Sequence, residues 1–200
     1  MTRYQSSSHP PIYTIGYGAR KIEDFLLLLK QHEINYLLDV RSKPYSKHSP
    51  DFSRSQLETR LIVAGIKYVF MGDTLGGQPD VLSCYTADGR VDYEKVKEKD
   101  FYRRGIQRLR DAHEQGLRVV LMCSEGKPEM CHRSKLIGET LTDEGIPVVH
   151  IDENGQLQSQ QDVLLRLTGG QLGLPGLDAP GFTSRKSYTD PGEPVDETTD

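Results

Sequence analysis

Positions 123–133 include five residues that we single out as candidates for chemistry: Cys123, Glu125, Cys131, His132 and Arg133. Two thiols beside an imidazole could bind a metal ion, form a redox pair or supply a nucleophile, and the cysteines could also be small buried residues. The C-x7-C-H spacing matches none of the usual zinc pairs, and the C-x-x-C redox motif is absent. The preferred hypothesis is therefore that Glu125 is the catalytic residue, either as a base or as a group that orients a substrate hydroxyl. It predicts no metal and no cofactor.

A nucleophilic role for Cys123 stays open, because amide donors and the helix dipole stabilise a thiolate that lies between a strand end and a helix N-terminus. The arginine that follows the cysteine closely in cysteine phosphatases is missing, since Arg133 comes ten positions later. Arg133 could instead bind an anion or form a salt bridge with Glu125, and His132 could act as a general acid or base. Cys123 and His132 are thus candidate catalytic residues beside Glu125.

A second polar cluster, Asp39, Arg41 and Ser42, lies at the end of the apolar run 35–42. A guanidinium just beyond a strand can hold a phosphate or a carboxylate through parallel hydrogen bonds. Asp39 could be a general base or could simply pair with Arg41. The loop continues to residue 54 with lysines, serines and a histidine, a composition suited to anions. We predict an anion-binding site here.

The elements that must position these residues alternate between strand and helix. Apolar runs of strand length occupy residues 11–18, 35–42, 67–72, 117–123 and 146–151. Helical spacing of apolar residues occupies residues 21–34, 54–66, 93–116, 128–145 and 159–167. This alternation predicts an α/β fold, a three-layer sandwich around a mainly parallel sheet of about five strands.

Ligands bind open α/β sheets at the carboxyl ends of the strands, where the two polar clusters and two glycine pairs fall. We therefore expect a single pocket at this edge. Its candidate catalytic residues are Glu125, Asp39, Cys123 and His132. Its candidate substrate-binding residues are Gly16, Tyr17, Arg41, Ser42, Gly76, Gly77 and Arg133.

The composition indicates one domain with polar ends. Residues 1–10 read as an N-terminal extension without the apolar segment of a secretory signal, 11–168 as a single α/β domain, and 169–200 as a disordered acidic tail rich in Gly and Pro. Six acids and two bases in residues 174–200 account for the whole net charge of −4. No apolar run is long enough for a membrane span, and three cysteines favour a reducing, cytoplasmic setting.

Four stretches together resemble the family catalogued as domain of unknown function 488: YTIGYG, DVRSKPYSKHSPDF, MGDTLGG and LMCSEGKPEMCHRSKL. The resemblance covers residues 12 to about 151 and implies a Rossmann-like α/β fold. It marks positions and not a reaction. The marked positions are Gly16, Tyr17, Asp39, Arg41, Ser42, Pro44, Gly76, Gly77, Cys123, Glu125, Cys131, His132 and Arg133.

The leading hypothesis is an anion-binding, catalytic site that acts on a phosphate-bearing small molecule or nucleic acid, with Arg41 and Arg133 holding the anion. A second hypothesis is a non-catalytic module that binds nucleic acid through the seven bases of residues 95–110. A third is a thiol or metal protein that uses Cys123, Cys131 and His132. The substrate, the reaction and the oligomeric state are not encoded in any motif of the chain.

Overall fold

The computed structural model describes residues 9–168 and 182–188, which build a six-stranded mixed sheet and a two-stranded sheet. The strands are β1 (Ile12–Gly16), β2 (Tyr36–Asp39), β3 (Lys67–Phe70), β4 (Arg90–Asp92), β5 (Val119–Cys123), β6 (Val148–Ile151), β7 (Leu157–Ser159) and β8 (Thr183–Ser187). The large sheet has the order β3-β2-β5-β1-β6-β7, and only β7 runs antiparallel to its neighbour. The small sheet pairs β4 with β8 in antiparallel fashion.

Helices connect the strands on both faces of the large sheet. They are α1 (Ile22–Gln31), α2 (Arg54–Val63), α3 (Gly72–Leu75), α4 (Tyr93–Lys97), α5 (Asp100–Glu114), α6 (Glu139–Asp143) and α7 (Gln160–Leu167). Short 3-10 turns occupy Pro50–Phe52, Leu82–Cys84 and Pro128–Met130, and a π-helix occupies Arg133–Gly138 directly before α6. Two helix starts are capped by side chains: Asp92 accepts hydrogen bonds at α4, and Ser159 forms a capping box at α7.

Alternation along the central strand β5 divides the core into two clusters. Val120 and Met122 pack with the apolar residues of α1 and α2, whereas Leu121 and Cys123 pack with those of α5 and α6. Because successive strand residues point to opposite faces, one strand supplies both cores. This arrangement confirms the predicted three-layer Rossmann-like α/β sandwich with a mainly parallel sheet.

Several elements differ from those predicted. The periodicity of residues 128–145 predicts one helix, but the segment contains a 3-10 turn, the π-helix and α6 in succession. Residues 72–92 hold α3, a 3-10 turn and β4, although the sequence pattern assigns no helix or strand to residues 73–92. The strands β4 and β7 are three residues long and carry no apolar run, so the sequence pattern does not reveal them.

The strand β8 lies inside the segment that the composition assigns to a disordered tail. Backbone hydrogen bonds hold both of its ends. The N–H of Tyr93 donates to Phe182 O just before β8, and the N–H of Tyr188 just after β8 donates to Gly89 O. The Ser184 hydroxyl also accepts a hydrogen bond from the N–H of Val91. The rest of the predicted tail, 169–181 and 189–200, and residues 1–8 of the predicted extension lie outside the described residues.

Every helix within residues 9–168 and 182–188 is too short or too polar to cross a membrane.

Candidate functional site

A cavity of about 290 Å³ opens at the carboxyl ends of β1, β2 and β5. Seven of the eleven predicted site residues line it: Tyr17, Arg41, Ser42, Gly77, Cys123, Glu125 and His132. The parallel strands explain this convergence, since Gly16, Asp39 and Cys123 are the last residues of three adjacent strands. The other four predicted residues, Gly16, Asp39, Gly76 and Arg133, lie behind this lining.

Asp39 holds Arg41 in one orientation. Arg41 Nε donates to Oδ1 at 2.8 Å and Nη2 donates to Oδ2 at 2.6 Å, while the Arg41 backbone N–H and the Tyr68 hydroxyl complete the shell of the carboxylate. Asp39 is fully buried and all its hydrogen bonds are internal. Of the two roles considered for Asp39, the geometry favours the partner of Arg41 and leaves no room for a general base.

The third nitrogen of the same guanidinium, Nη1, is not used in the pair with Asp39. Arg41 Nη1 is buried and has no hydrogen-bond partner among the described residues, although Arg41 lines the cavity. Burial disfavours the charge, but the hydrogen bonds and the attraction of Asp39 outweigh it and raise the pKa of Arg41. The side chain is therefore a fixed cation with one unused donor.

Tyr17 supports this cation rather than standing free in the cavity. Its ring stacks on Phe52 with centroids 4.3 Å apart, and the Arg41 guanidinium carbon lies 5.5 Å from the Tyr17 centroid. Tyr17, a candidate substrate-binding residue, thus has its ring packed against side chains of the protein itself.

Both cysteines of the 123–133 segment approach the same ring nitrogen of His132. The Nδ1 atom lies 3.8 Å from Cys123 Sγ and 3.6 Å from Cys131 Sγ, and all three residues are buried. His132 Nε2 lies 3.2 Å from Val40 O. Because a carbonyl oxygen only accepts, Nε2 carries the proton and the lone pair of Nδ1 faces the two sulfur atoms.

The pKa values of the two thiols shift in opposite directions. A hydrogen bond from the Cys131 thiol, together with the backbone N–H of Glu125, holds the pKa of Cys123 well below its ordinary value despite burial. Burial and the adjacent Cys123 raise the pKa of Cys131. Cys123 is therefore the more acidic thiol of the pair, and the thiolate is the form that attacks electrophiles and binds metals.

Glu125 lies in the cavity wall but does not meet its predicted partner. Its Oε2 accepts a hydrogen bond from Arg185 Nη2 of β8 at 3.1 Å, and within the described chain no ion pair with Arg133 forms. Arg133 is fully buried and donates from Nη2 to Gly126 O at 2.8 Å. Arg133, predicted to bind the substrate, is not among the residues that line the cavity, and its guanidinium holds the 124–127 turn through Gly126.

The predicted glycines matter because they have no side chain and so leave room for neighbouring atoms. A Cβ atom at Gly16 would lie 1.7 Å from Glu125 O, and one at Gly76 would lie 2.2 Å from Gly72 O. A Cβ atom at Gly77 would lie 2.8 Å from His132 Nδ1. Gly16 thus lets the 124–127 turn approach the sheet edge, Gly77 does the same for the His132 ring, and Gly76 leaves room for Gly72 and the Ser42 side chain.

The cavity is also lined by residues outside the eleven candidate site residues, and one of these, Cys131, belongs to the thiol or metal hypothesis. They are Lys43, Tyr45, Gln78, Tyr93, Ser124, Met130, Cys131, Ser184, Arg185, Lys186 and Tyr188. Lys43 belongs to the predicted anion loop, but the β8 residues fall in the segment read as tail, and no apolar pattern marks them. Among the described lining residues the cations Arg41, Lys43, Arg185 and Lys186 outnumber the single carboxylate of Glu125.

The basic stretch 95–110 lies on α4 and α5, and four of its seven bases are already paired. Lys97 binds Glu94 and Glu139, Arg110 binds Glu144, and Lys95 and Arg103 lie near aspartates. These pairs match an ordinary solvated helix face more closely than a phosphate-binding surface.

Comparison with known proteins gives one match. The sequence model of the family described as "Domain of unknown function DUF488" matches residues 21–139, more than half of the 200-residue chain. No curated protein and no solved structure matches. The matched range includes both polar clusters and the segment that contributes Cys123, Cys131 and His132.

Proposed function

The chain belongs to the family described as Domain of unknown function DUF488, and on that premise we propose that it is an enzyme acting on a phosphate-bearing small molecule. The substrate anion binds Arg41 in the cavity at the carboxyl edge of the sheet. The reacting part of the substrate faces Cys123 and Glu125.

The unused Nη1 donor of Arg41 is the observation that carries this proposal. A buried cationic N–H without a partner is costly, and a charge-assisted hydrogen bond to a phosphate oxygen removes that cost. Asp39 fixes two of the guanidinium nitrogens, so little orientational freedom is lost when an anion binds.

The charge and the size of the cavity limit the classes of ligand that it can bind. Lys43, Arg185 and Lys186 add positive charge to the lining, which attracts phosphate at a distance. The volume of about 290 Å³ is near the lower end of small-molecule sites, which span roughly 300–1,000 Å³. A phosphate-bearing metabolite or a mononucleotide fits this size better than a nucleic-acid strand.

Two groups next to the anchor can take part in a reaction. Cys123 supplies a sulfur atom at the end of β5, and Glu125 supplies a partly exposed carboxylate that can take or give a proton. Arg41→Lys would keep the charge but lose the planar fork that matches both Asp39 and a phosphate.

Calorimetric titration with inorganic phosphate, pyrophosphate and a panel of mononucleotides tests the proposal. We expect saturable binding to the wild type and at least about tenfold weaker binding to Arg41→Ala, since a charged hydrogen bond contributes about 1.5–3 kcal/mol. Arg103→Ala is the matched control, because Arg103 is an exposed helix residue outside the lining. A wild-type protein that binds none of these compounds would overturn the proposal.

A further inference from the structure

We infer that Cys123, Cys131 and His132 form a metal site of the zinc class, with a fourth coordination position that opens into the cavity. The inference uses only the arrangement of these three side chains and does not rest on the proposed substrate. The ion would take two thiolates and one imidazole from the protein.

The spacing of the three ligand atoms fits tetrahedral coordination. Zinc bonds of about 2.3 Å to sulfur and about 2.0–2.1 Å to nitrogen would place sulfur and nitrogen roughly 3.6 Å apart at the tetrahedral angle. His132 Nδ1 lies 3.8 Å from Cys123 Sγ and 3.6 Å from Cys131 Sγ. All three ligand atoms lie within 4.8 Å of one another, so an ion can reach them without a backbone shift.

The hydrogen bond that orients the histidine ring is also in place. Metal-bound histidines nearly always donate their other ring N–H to a carboxylate, a carbonyl or water, which fixes the tautomer. His132 Nε2 donates to Val40 O at 3.2 Å, and this leaves the lone pair of Nδ1 directed at both sulfur atoms.

The number of ligands indicates a catalytic rather than a closed structural site. Structural zinc sites use four protein ligands, whereas catalytic sites use three and keep a position for water or substrate. The cluster has three members within the described chain, and each of them lines the cavity that contains Arg41 and Glu125. The open position would therefore face the interior of this cavity.

The spacing along the chain differs from the usual zinc pairs for a structural reason. Cys123 ends β5, whereas Cys131 and His132 immediately precede the π-helix, and the intervening turn folds back over the sheet edge. Loop and sheet geometry bring the ligands together, so a search for closely spaced cysteines misses them. The third cysteine, Cys84, is buried but outside this cluster.

Zinc titration of the full chain tests the inference. The protein is stripped with a chelator, kept reduced, checked for free thiols and titrated with Zn²⁺ by calorimetry, and Co²⁺ is added separately to detect thiolate-to-metal charge-transfer absorption. We expect one equivalent of metal, and binding at least about 100-fold weaker in Cys123→Ser and in His132→Ala. Cys84→Ser should bind as the wild type does.

The wild-type titration decides the matter even where a variant fails to fold. A fully reduced wild type that shows no saturable Zn²⁺ binding and no charge-transfer band would overturn the inference, as would unchanged binding by Cys123→Ser. Arg41→Ala should bind Zn²⁺ normally, because it lies outside the ligand set. Loss of phosphate binding and loss of metal binding are therefore separate results.

Discussion

Arg185 Nη2 donates a hydrogen bond to Glu125 Oε2 at 3.1 Å, which joins two cavity-lining residues that are 60 positions apart in the chain. The pair ties β8 to the turn that follows β5. Both side chains are partly exposed, so solvent screens the attraction and the pair adds little to the free energy of unfolding. The pair matters instead because it holds the Arg185 guanidinium at the wall of the cavity.

Arg185→Ala should separate these two effects. We expect the free energy of unfolding in urea to fall by less than about 1 kcal/mol. The affinity for a phosphate compound that binds the wild type should fall several-fold and lose part of its salt dependence, because one cation leaves the cavity. Arg60→Ala removes a similarly exposed ion pair on α2 and serves as the control. Equal affinities for wild type and Arg185→Ala would contradict a role for β8 in binding.

Asp39→Asn should destabilise the protein by about 3 kcal/mol or more, because it leaves the buried Arg41 without its counter-charge. The amide would also direct N–H groups at the guanidinium donors. Chemical denaturation of the variant measures the loss. Asp51→Asn breaks a half-exposed pair with Arg60 and should change the stability by under about 1 kcal/mol. A small effect of Asp39→Asn would mean that the pair is not the anchor described above.

Gly16→Ala should be far more harmful than Gly126→Ala. The added methyl group at Gly16 meets Glu125 O and the Arg133 guanidinium, so the turn must move, at a cost of about 3 kcal/mol or more. At Gly126 the nearest atom is the Cα of Gly18 at 3.6 Å, an ordinary contact. Thermal melting of both variants compares them directly, and similar melting temperatures would contradict the close approach at Gly16.

His150 should make the fold sensitive to acid. Its ring is buried between the Thr14 hydroxyl and the Gln160 amide oxygen, and burial, with the charge of Arg133, lowers its pKa from 6.5 to about 3. The unfolded chain therefore binds this proton first, so stability present above pH 6.5 is lost as the pH falls toward 3.

Urea denaturation of wild type and His150→Asn between pH 7 and pH 4 measures this contribution. The wild type should lose about 3 kcal/mol more than the variant over that range, since every tenfold difference in proton affinity between the folded and unfolded chains corresponds to about 1.4 kcal/mol. The comparison cancels the carboxylates common to both proteins. Parallel stability curves would show that His150 does not stay neutral in the fold.

The strands that position the site are predictable because they are buried on both faces. Continuous apolar runs such as Val119–Cys123 are typical of central parallel strands, and their ends fix where the polar residues meet. Strand order therefore places Arg41, Glu125 and Cys123 at one edge before any coordinates are known. The same reasoning cannot say which way a side chain turns, so it places Arg133 in the cavity, whereas the side chain lies behind it.

The parts that the sequence does not reveal depend on contacts between distant residues. The strand β8 has the sequence TSRKS, which carries no apolar period, and it becomes a strand through backbone pairing with β4. Cys123, Cys131 and His132 are spaced along the chain unlike the usual zinc ligands, so the sequence pattern alone does not indicate a metal site. Its geometry depends on the turn between Cys123 and Cys131, which local pattern does not determine.

The π-helix at Arg133–Gly138 has a consequence for the geometry of this site. A π-helix contains about one residue more per turn than an α-helix needs, and such segments recur at functional sites. Deleting one residue there would restore regular α-helical winding and rotate the preceding residues by about 100°, the angle per residue of an α-helix. His132, the residue directly before the π-helix, would be displaced relative to Cys123. The extra residue of the π-helix is thus part of what sets the approach of His132 to the two sulfur atoms.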